Sequence, residues 1–167
     1  CGKERHAAFL LAQIDKAPEE KHKDLEGMLL GYTLLKPKEG LALLQKRTSN
    51  AKLSFMERYI TLKALRFFWR ERRDVLPRAE VLKAVTAMLD QDDIADLIVE
   101  DLRREREERY LERILALHDR KGFEIPIIRR AILRFALTFP KNPKAAEYLE
   151  MIRAEDPQRV KDAEELL

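Results

Sequence analysis

The chain has 167 residues, of which 46% are apolar and 38% charged, with only five glycines and seven prolines. This composition is typical of a helix-rich globular chain, and it disfavours an all-β fold, which needs more turn residues and strict alternation. The net charge of +3 is too small to indicate a nucleic-acid partner by itself. A single cysteine, Cys1, excludes an intrachain disulfide, and no apolar run approaches the roughly 20 residues of a membrane span.

Ten helices are predicted along the chain from the periodicity of apolar residues and from start and stop signals. An all-α fold follows from this pattern. The predicted ranges are 3–16, 24–35, 38–47, 54–72, 77–90, 93–104, 107–119, 125–139, 143–154 and 157–166.

Capping residues mark several of the predicted helix starts. Ser54 and Glu57 have the spacing of a capping box, in which each side chain bonds to the backbone N–H of the other residue. Asn142 and Asp156 each precede a proline, which suits the first helical position because its missing N–H would be unpaired there. Two further prolines are expected to open helices, and two glycines to lie at helix ends where a positive φ is useful. These residues are Pro77, Pro126, Gly40 and Gly122.

The sixth and seventh predicted helices have neither glycine nor proline between them. Their apolar residues fall into two sets that are separated by the charged run 103–109. We therefore predict a bend near Arg106, with one continuous helix as the alternative.

The helix at 54–72 is apolar on two flanks. A residue advances about 100° around a helix, so Leu62, Leu65 and Trp69 share one stripe while Ile60 and Phe67 lie roughly opposite. We predict that this helix is packed between neighbours, with Leu62, Leu65 and Phe67 inside and Arg66 at a groove.

Short similar segments recur at about the length of a helix hairpin. Residues 64–67 (Ala-Leu-Arg-Phe) are similar to 132–135 (Ile-Leu-Arg-Phe), and 101–104 (Asp-Leu-Arg-Arg) is a looser copy. The spacings are 37 and 31 residues. Paired helices at this spacing resemble the HEAT-like class of α-helical repeats. The resemblance implies a right-handed, solenoid-like stack of antiparallel helix hairpins with an extended binding surface.

A second resemblance concerns the runs 67–69 and 127–135. They are similar to the C-terminal helical part of a family of uncharacterised bacterial proteins, in which a separate Cys-bearing domain precedes the helices. This resemblance implies no activity, and it implies that Cys1 is an internal residue. We accordingly expect 1–167 to be a single α-helical repeat domain from a longer protein. The alternative is that Cys1 and Gly2 begin a mature bacterial lipoprotein.

The acidic segment 92–96 (Asp-Asp-Ile-Ala-Asp) matches the pattern with which all-α prenyl-transfer and terpenoid enzymes hold Mg²⁺ and a diphosphate. Those enzymes are larger and usually need a second acidic cluster across a cavity. Because the segment stands at a predicted helix start, we interpret its acids as caps that also meet the positive end of the helix dipole.

Other catalytic patterns are weak or absent. His6, His22 and His118 lie far apart and none has a ligand four residues on, which excludes a helix-borne zinc pair. His118 beside Asp119 offers a dyad without a nucleophile, and near a predicted helix end it suits the helix dipole instead. A cysteine at a chain end is hard to preorganise as a nucleophile. We therefore predict no enzymatic activity, no catalytic residue, no metal and no cofactor.

Arginines carry the predicted binding surface. Arg66, Arg103 and Arg134 hold equivalent positions in the three similar segments and would form a ladder along a solenoid. Trp69 lies one turn beyond Arg66, where an exposed tryptophan beside an arginine is typical of an interface anchor. The alternative is that Trp69 fills the core and the arginines bond to neighbouring helices.

Charge alternates along the chain, with basic zones at 57–78 and 120–134 on either side of an acidic zone at 90–101. Neutralisation between adjacent repeats is one interpretation, and a striped surface for a charged partner is the other. We predict a non-catalytic protein-interaction or scaffolding module that binds another protein or a neighbouring domain of the same protein. Its candidate surface residues are Arg66, Trp69, Arg70, Arg73, Arg103, Arg129, Arg130 and Arg134.

Nucleic-acid binding is the less favoured alternative, because the basic zones are interrupted by acids. It would use basic helix faces to contact the phosphate backbone. The arginines for this role are Arg70, Arg72, Arg73, Arg129 and Arg130.

Overall fold

A computed structural model of the chain describes residues 2–16 and 22–165. Within these ranges all regular secondary structure is helical, with ten α-helices, two short 3₁₀ segments and no strand, so the all-α prediction is confirmed. The α-helices are α1 (Gly2–Lys16), α2 (His22–Leu35), α3 (Pro37–Thr48), α4 (Phe55–Arg70), α5 (Arg78–Thr86), α6 (Ala95–Arg104), α7 (Leu111–Leu115), α8 (Pro126–Thr138), α9 (Pro143–Glu155) and α10 (Pro157–Glu164). The 3₁₀ segments are Ala87–Asp90 and Glu108–Tyr110.

The predicted side-chain caps are confirmed. The N–H of Ser54 donates to the Glu57 carboxylate at 3.0 Å, and the N–H of Glu57 donates to the Ser54 hydroxyl at 3.3 Å, which completes the capping box of α4. Asn142 and Asp156 each accept a backbone N–H at 3.0 Å from the first turn of the helix that follows. These starts are determined by local sequence, which explains why they are readable without tertiary information.

The predicted roles of glycine and proline at the joints are partly confirmed. Gly122 has a φ of 91°, and Pro126 is the first residue of α8. Pro77 is the N-cap of α5 and not its first residue. Gly40 is not at a helix end: it lies inside α3, where an added Cβ would stand 2.5 Å from the Cα of Thr33. Its missing side chain therefore lets α2 and α3 approach closely.

The bend predicted near Arg106 is confirmed. Arg106 has a φ of 54° and is the only non-glycine residue with a positive φ in the described ranges. The N–H of Arg106 donates to the Arg103 carbonyl at 3.0 Å, and the N–H of Glu107 donates to the Leu102 carbonyl at 2.9 Å. This pair of bonds is a Schellman motif, which ends α6 without the usual glycine. The seventh helix, predicted at 107–119, spans only Leu111–Leu115, with a 3₁₀ segment before it and a turn after it.

The chain divides into two compact units, Cys1–Met88 and Leu89–Leu167. In the first, the N-terminal unit, α4 contacts α2, α3 and α5. In the second, the C-terminal unit, α8 contacts α6, α7, α9 and α10. Within their own units, α4 thus has three helical neighbours and α8 has four. The single repeat domain and the solenoid-like stack remain predictions.

Helix α4 is packed between neighbours, as predicted, but one aromatic position was wrong. Leu62 and Leu65 are completely buried, and Ile60 on the opposite flank is buried as well. Phe67 is only half-buried, while the adjacent Phe68 is fully buried. Phe68 follows Leu65 by three residues and therefore lies near the same stripe.

Candidate binding cleft

Trp69 does not lie at the surface, and its predicted role as an exposed interface anchor is wrong. Its side chain is 1% exposed and packs in the N-terminal unit, because it shares a stripe with Leu62 and Leu65. The indole Nε1 has no hydrogen-bond partner among the described residues. Arg73 donates from Nε to the Trp69 carbonyl at 2.9 Å. Trp69 and Arg73 therefore stabilise α4 and the turn at its C-terminal end.

The arginines of the three similar segments are bonded within the chain, which was the alternative interpretation. Arg103 on α6 and Arg134 on α8 each contact one carboxylate oxygen of Glu100 at 3.0 Å. Arg66 lies over the ring of Tyr59, with 6.0 Å from Cζ to the ring centroid. Glu100 therefore joins α6 to α8 through Arg134, while its bond to Arg103 lies within α6.

The basic cluster at the end of α4 is also engaged. Arg72 donates to both carboxylate oxygens of Asp74 at 2.8 Å, and the same ion pair raises the pKa of Arg72. Arg70 has an interaction within the chain. The other two arginines assigned to phosphate binding, Arg129 and Arg130, lie outside this cluster, on α8.

Arg129 and Arg130 line a cleft of the C-terminal unit, with a volume of about 1090 Å³, between α8 and α10. The α8 wall is one helix face, because its residues recur at intervals of three and four. This wall consists of Pro126, Arg129, Arg130, Leu133 and Arg134. The α10 wall and the cleft ends consist of Glu124, Asp156, Gln158, Arg159, Asp162, Ala163 and Glu165.

Three arginine side chains of this cleft have no carboxylate partner among residues 2–16 and 22–165. They are Arg129, Arg130 and Arg159, whereas Arg134 is held by Glu100. Arg130 is exposed, and the other two are half-buried. The cleft thus holds three guanidinium groups without a direct carboxylate contact, in a lining that also contains four carboxylates.

The acids of the same cleft are mostly engaged in local structure. Glu124 accepts the N–H of Gly122 at 2.7 Å, and Asp156 caps α10. Asp162 accepts from the amide of Gln158 at 2.6 Å. These carboxylates stabilise loop and helix geometry and do not bond to the side chains of the cleft arginines.

A buried histidine stands behind the α8 wall. His118 Nε2 lies 3.3 Å from Nη1 of Arg129, and Arg129 Nη2 donates to the His118 carbonyl at 3.3 Å. A guanidinium only donates, so Nε2 is the unprotonated nitrogen and Nδ1–H donates to the hydroxyl of Tyr148 at 3.0 Å. Burial lowers the pKa of His118, as does Arg129, and burial raises the pKa of Tyr148 to about 12.

His118 is therefore a buried, neutral acceptor that orients Arg129. The sequence interpretation of a helix-terminal cation that suits the dipole is wrong. The dyad with Asp119 is not formed either, because both ring nitrogens are occupied by Arg129 and Tyr148.

The acidic segment at 92–96 stands at the start of α6, as predicted, and Asp96 lies in the first turn, where the backbone N–H groups of Asp96 and Leu97 contact its carboxylate. None of these acids is the N-cap residue, which is Ile94. Burial raises the pKa of Asp96. Across the described part of the chain, no three His, Cys, Asp or Glu residues form a group that could hold a metal ion. Cys1 and the alternatives attached to it lie outside the described residues.

No protein-family model, curated protein or solved structure matches this chain. None of the helices at 2–16 and 22–165 is long and apolar enough to cross a membrane. The fold and the site together define an all-α protein with an arginine-lined cleft in its C-terminal unit. Function is therefore argued from the chemistry of the cleft, since an all-helical fold alone implies none.

Proposed function

We propose that this chain is a non-catalytic protein-interaction module and that the cleft between α8 and α10 contacts its partner. One observation carries the proposal: Arg129, Arg130 and Arg159 face this cleft without a carboxylate partner in the described chain. Arginine is enriched at protein interfaces, where it supplies hydrogen bonds and packs through its aliphatic stem.

Apolar residues near these arginines support a protein partner. Pro126 is exposed at the wall of the cleft, whereas Leu133 and Ala163 are buried beneath it. Ile125 and Ile127, at the start of α8, are 43% and 58% exposed. An exposed apolar pair beside a charged cleft is the composition of a small interaction surface.

The HEAT-like repeat remains part of this proposal. Its support is the similar local environment of the three repeated segments, in which each leucine is buried and each following arginine is half-buried. These residues are Leu65, Leu102, Leu133, Arg66, Arg103 and Arg134. Repeat folds of this class present extended binding surfaces, and here the argument is an analogy of fold.

Phosphate-backbone binding is the alternative. Of its five arginines, Arg129 and Arg130 lie together in the cleft. Glu124, Asp162 and Glu165 line the same cleft, and their charge repels a phosphate chain. A protein partner is therefore the better match.

The proposal is tested by affinity capture from native cell extract with three forms of the full chain. These are the wild type, the cleft variant Arg130→Glu/Arg159→Glu and the matched control Lys141→Glu/Lys144→Glu. The control makes the same charge change on exposed residues of the C-terminal unit that do not line the cleft. We expect quantitative mass spectrometry to find proteins that the wild type and the control retain and the cleft variant loses. Identical captured sets for all three forms would rule the cleft out as the contact surface.

A further inference from the structure

We infer that His118 and Arg129 form a pH-operated switch, in which protonation of His118 transfers the Arg129 guanidinium from the imidazole to carboxylates of the cleft between α8 and α10. While His118 is neutral, Arg129 is bonded to it. Once His118 is protonated, Arg129 bonds to acids that line the same cleft. The switch is a property of the cleft wall and does not require the partner proposed above.

The first step is the position of His118. It lies in the turn after α7 and is only 6% exposed. Its imidazole bonds to Tyr148 on α9 at 3.0 Å and to Arg129 on α8 at 3.3 Å. The rings of His118 and Tyr148 also meet edge to face, with 5.4 Å between their centroids. Tyr148 stays neutral, since burial raises its pKa to about 12. A change in the charge of the imidazole therefore acts on side chains of two other helices.

The second step is the loss of the acceptor. Nε2 of His118 accepts from Arg129 only while it carries no proton, because a guanidinium donates and does not accept. Protonation places an N–H on Nε2, so two donors and two positive charges face each other across 3.3 Å. Little water reaches this buried ring, which strengthens the repulsion. The guanidinium therefore moves away from Nε2.

The third step is the balance of charge around His118. Burial is the strongest effect and disfavours the protonated imidazole. Arg129 on α8 and Arg159 on α10 act in the same direction. Asp119, the next residue in the chain, and Glu155 on α9 act in the opposite direction. The pKa of His118 is lowered as a result. Departure of Arg129 removes one of the two opposing cations and so stabilises the protonated ring.

The fourth step is a destination for Arg129. Its side chain already lines the cleft, together with the carboxylates of Glu124, Asp156, Asp162 and Glu165. The first three each use one oxygen for a local hydrogen bond, and the Glu165 carboxylate makes no bond within residues 2–16 and 22–165. Oxygens of these acids can therefore accept the guanidinium, and charge-assisted bonds replace the two bonds to His118. The move also exposes the Arg129 Nε, which is buried without a partner in the described ranges.

The pH range of the switch has two limits. Protonation of His118 in the folded chain occurs below pH 6.5, the ordinary histidine pKa, because burial and the two arginines lower the folded pKa. Carboxyl groups ordinarily stay ionised down to about pH 4. We therefore expect the transfer between about pH 4 and pH 6.5.

The first test follows both side chains of the wild-type chain by NMR through this pH range. The Cε1–H signal of His118, identified by its loss in His118→Gln, reports the pKa of the imidazole. The Nε–H signals of Arg129 and of the exposed Arg130 are recorded in the same titration. We expect the Arg129 signal to change with the midpoint of His118. Arg130, the next residue of α8, is the control, and its signal should remain constant.

The second test is a cycle of variants that separates the transfer from simple electrostatics. Asp162→Asn/Glu165→Gln removes two destinations of the guanidinium, and Arg129→Gln removes the guanidinium itself. Neutralising the two acids should lower the pKa of His118 by about 0.5 or more while Arg129 is present, because the protonated state loses its ion pair. The same change in the Arg129→Gln background should have less than half this effect. Arg129→Gln alone should raise the pKa of His118, because a cation is removed.

Circular dichroism at each pH shows whether each form is folded. Should the double variant not fold, Glu165→Gln replaces it in the cycle. Three results overturn the inference. His118 could stay neutral until the chain unfolds; the signals of Arg129 and Arg130 could respond alike; or the pKa of His118 could fall equally in both backgrounds, which would mean that the acids act on the imidazole directly. Failure of the switch leaves the proposed interaction role in place, since that role is tested by the capture experiment.

Discussion

The side chains of His118 and Arg129 form an unusual pair, in which a neutral imidazole accepts a hydrogen bond from a cation at 3.3 Å. The other imidazole nitrogen donates to Tyr148 at 3.0 Å, so the ring is held at both ends. Protonation of His118 would place a second positive charge against Arg129 and remove the acceptor. Stability and the orientation of Arg129 therefore both depend on a neutral histidine.

We predict that the chain loses stability as the pH falls below about 6.5, the ordinary pKa of histidine. The folded pKa of His118 is lowered, so the unfolded chain binds the proton first, and the free energy of unfolding decreases as pH falls toward the folded pKa. Urea denaturation measures this dependence. The wild type and His118→Gln are compared between pH 7.5 and pH 5, a range that spans the ordinary histidine pKa of about 6.5. His6→Gln, at an exposed position, is the control. Equal pH dependence in the wild type and His118→Gln would contradict the assignment.

We predict that Arg106→Gly is more stable than Arg106→Ala by about 1 kcal/mol, because only glycine adopts a φ of 54° without a steric cost. Both substitutions remove the contact of the guanidinium with the Phe139 ring, whose centroid lies 5.8 Å from Cζ. Alanine is therefore the matched control for the lost ring contact. Chemical denaturation measures both variants, and equal stabilities would show that this backbone position carries no strain.

We predict that Gly40→Ala destabilises the chain by about 1–3 kcal/mol, as other overpacked substitutions do. The new Cβ would stand 2.5 Å from the Cα of Thr33, so α2 and α3 must separate. Gly27→Ala is the control, because a Cβ there has no neighbour within 4 Å. Gly27 also lies inside a helix, α2, so alanine at this position should raise the free energy of unfolding by about 0.5–1 kcal/mol. Thermal or urea unfolding of the two variants should thus shift in opposite directions, and a shift in the same direction would refute the close approach.

We predict that Leu65→Ala costs about 2–5 kcal/mol of unfolding free energy, as for other completely buried leucines. Leu34→Ala, at a position that is 40% exposed, is the control and should cost much less. Urea denaturation is again the measurement. A loss under about 1 kcal/mol for Leu65→Ala would mean that α4 is not central to the N-terminal unit.

The helices were predictable because their signals are local. Ser54 with Glu57, and the prolines after Asn142 and Asp156, specify helix starts through bonds that span only a few residues. Arg106 was predictable as a bend for the same reason, since a long charged run interrupts two apolar sets. The sequence by itself thus determined the all-α class and most helix boundaries.

The candidate site depended on tertiary structure. Periodicity placed Trp69 on the stripe of Leu65, but it did not show that a neighbouring helix covers that stripe. The α8 spacing placed Arg129, Arg130 and Arg134 near one face, yet only the fold brings Glu100 to Arg134 and leaves the other two without a carboxylate.

The same is true of the residues that complete the cleft. Arg159 reaches it from α10, and His118 meets Tyr148 across 30 positions of sequence. Pairing of this kind depends on which helices pack together. Helical periodicity constrains the direction of a side chain within its own helix, and it contains no information on the helix that packs opposite.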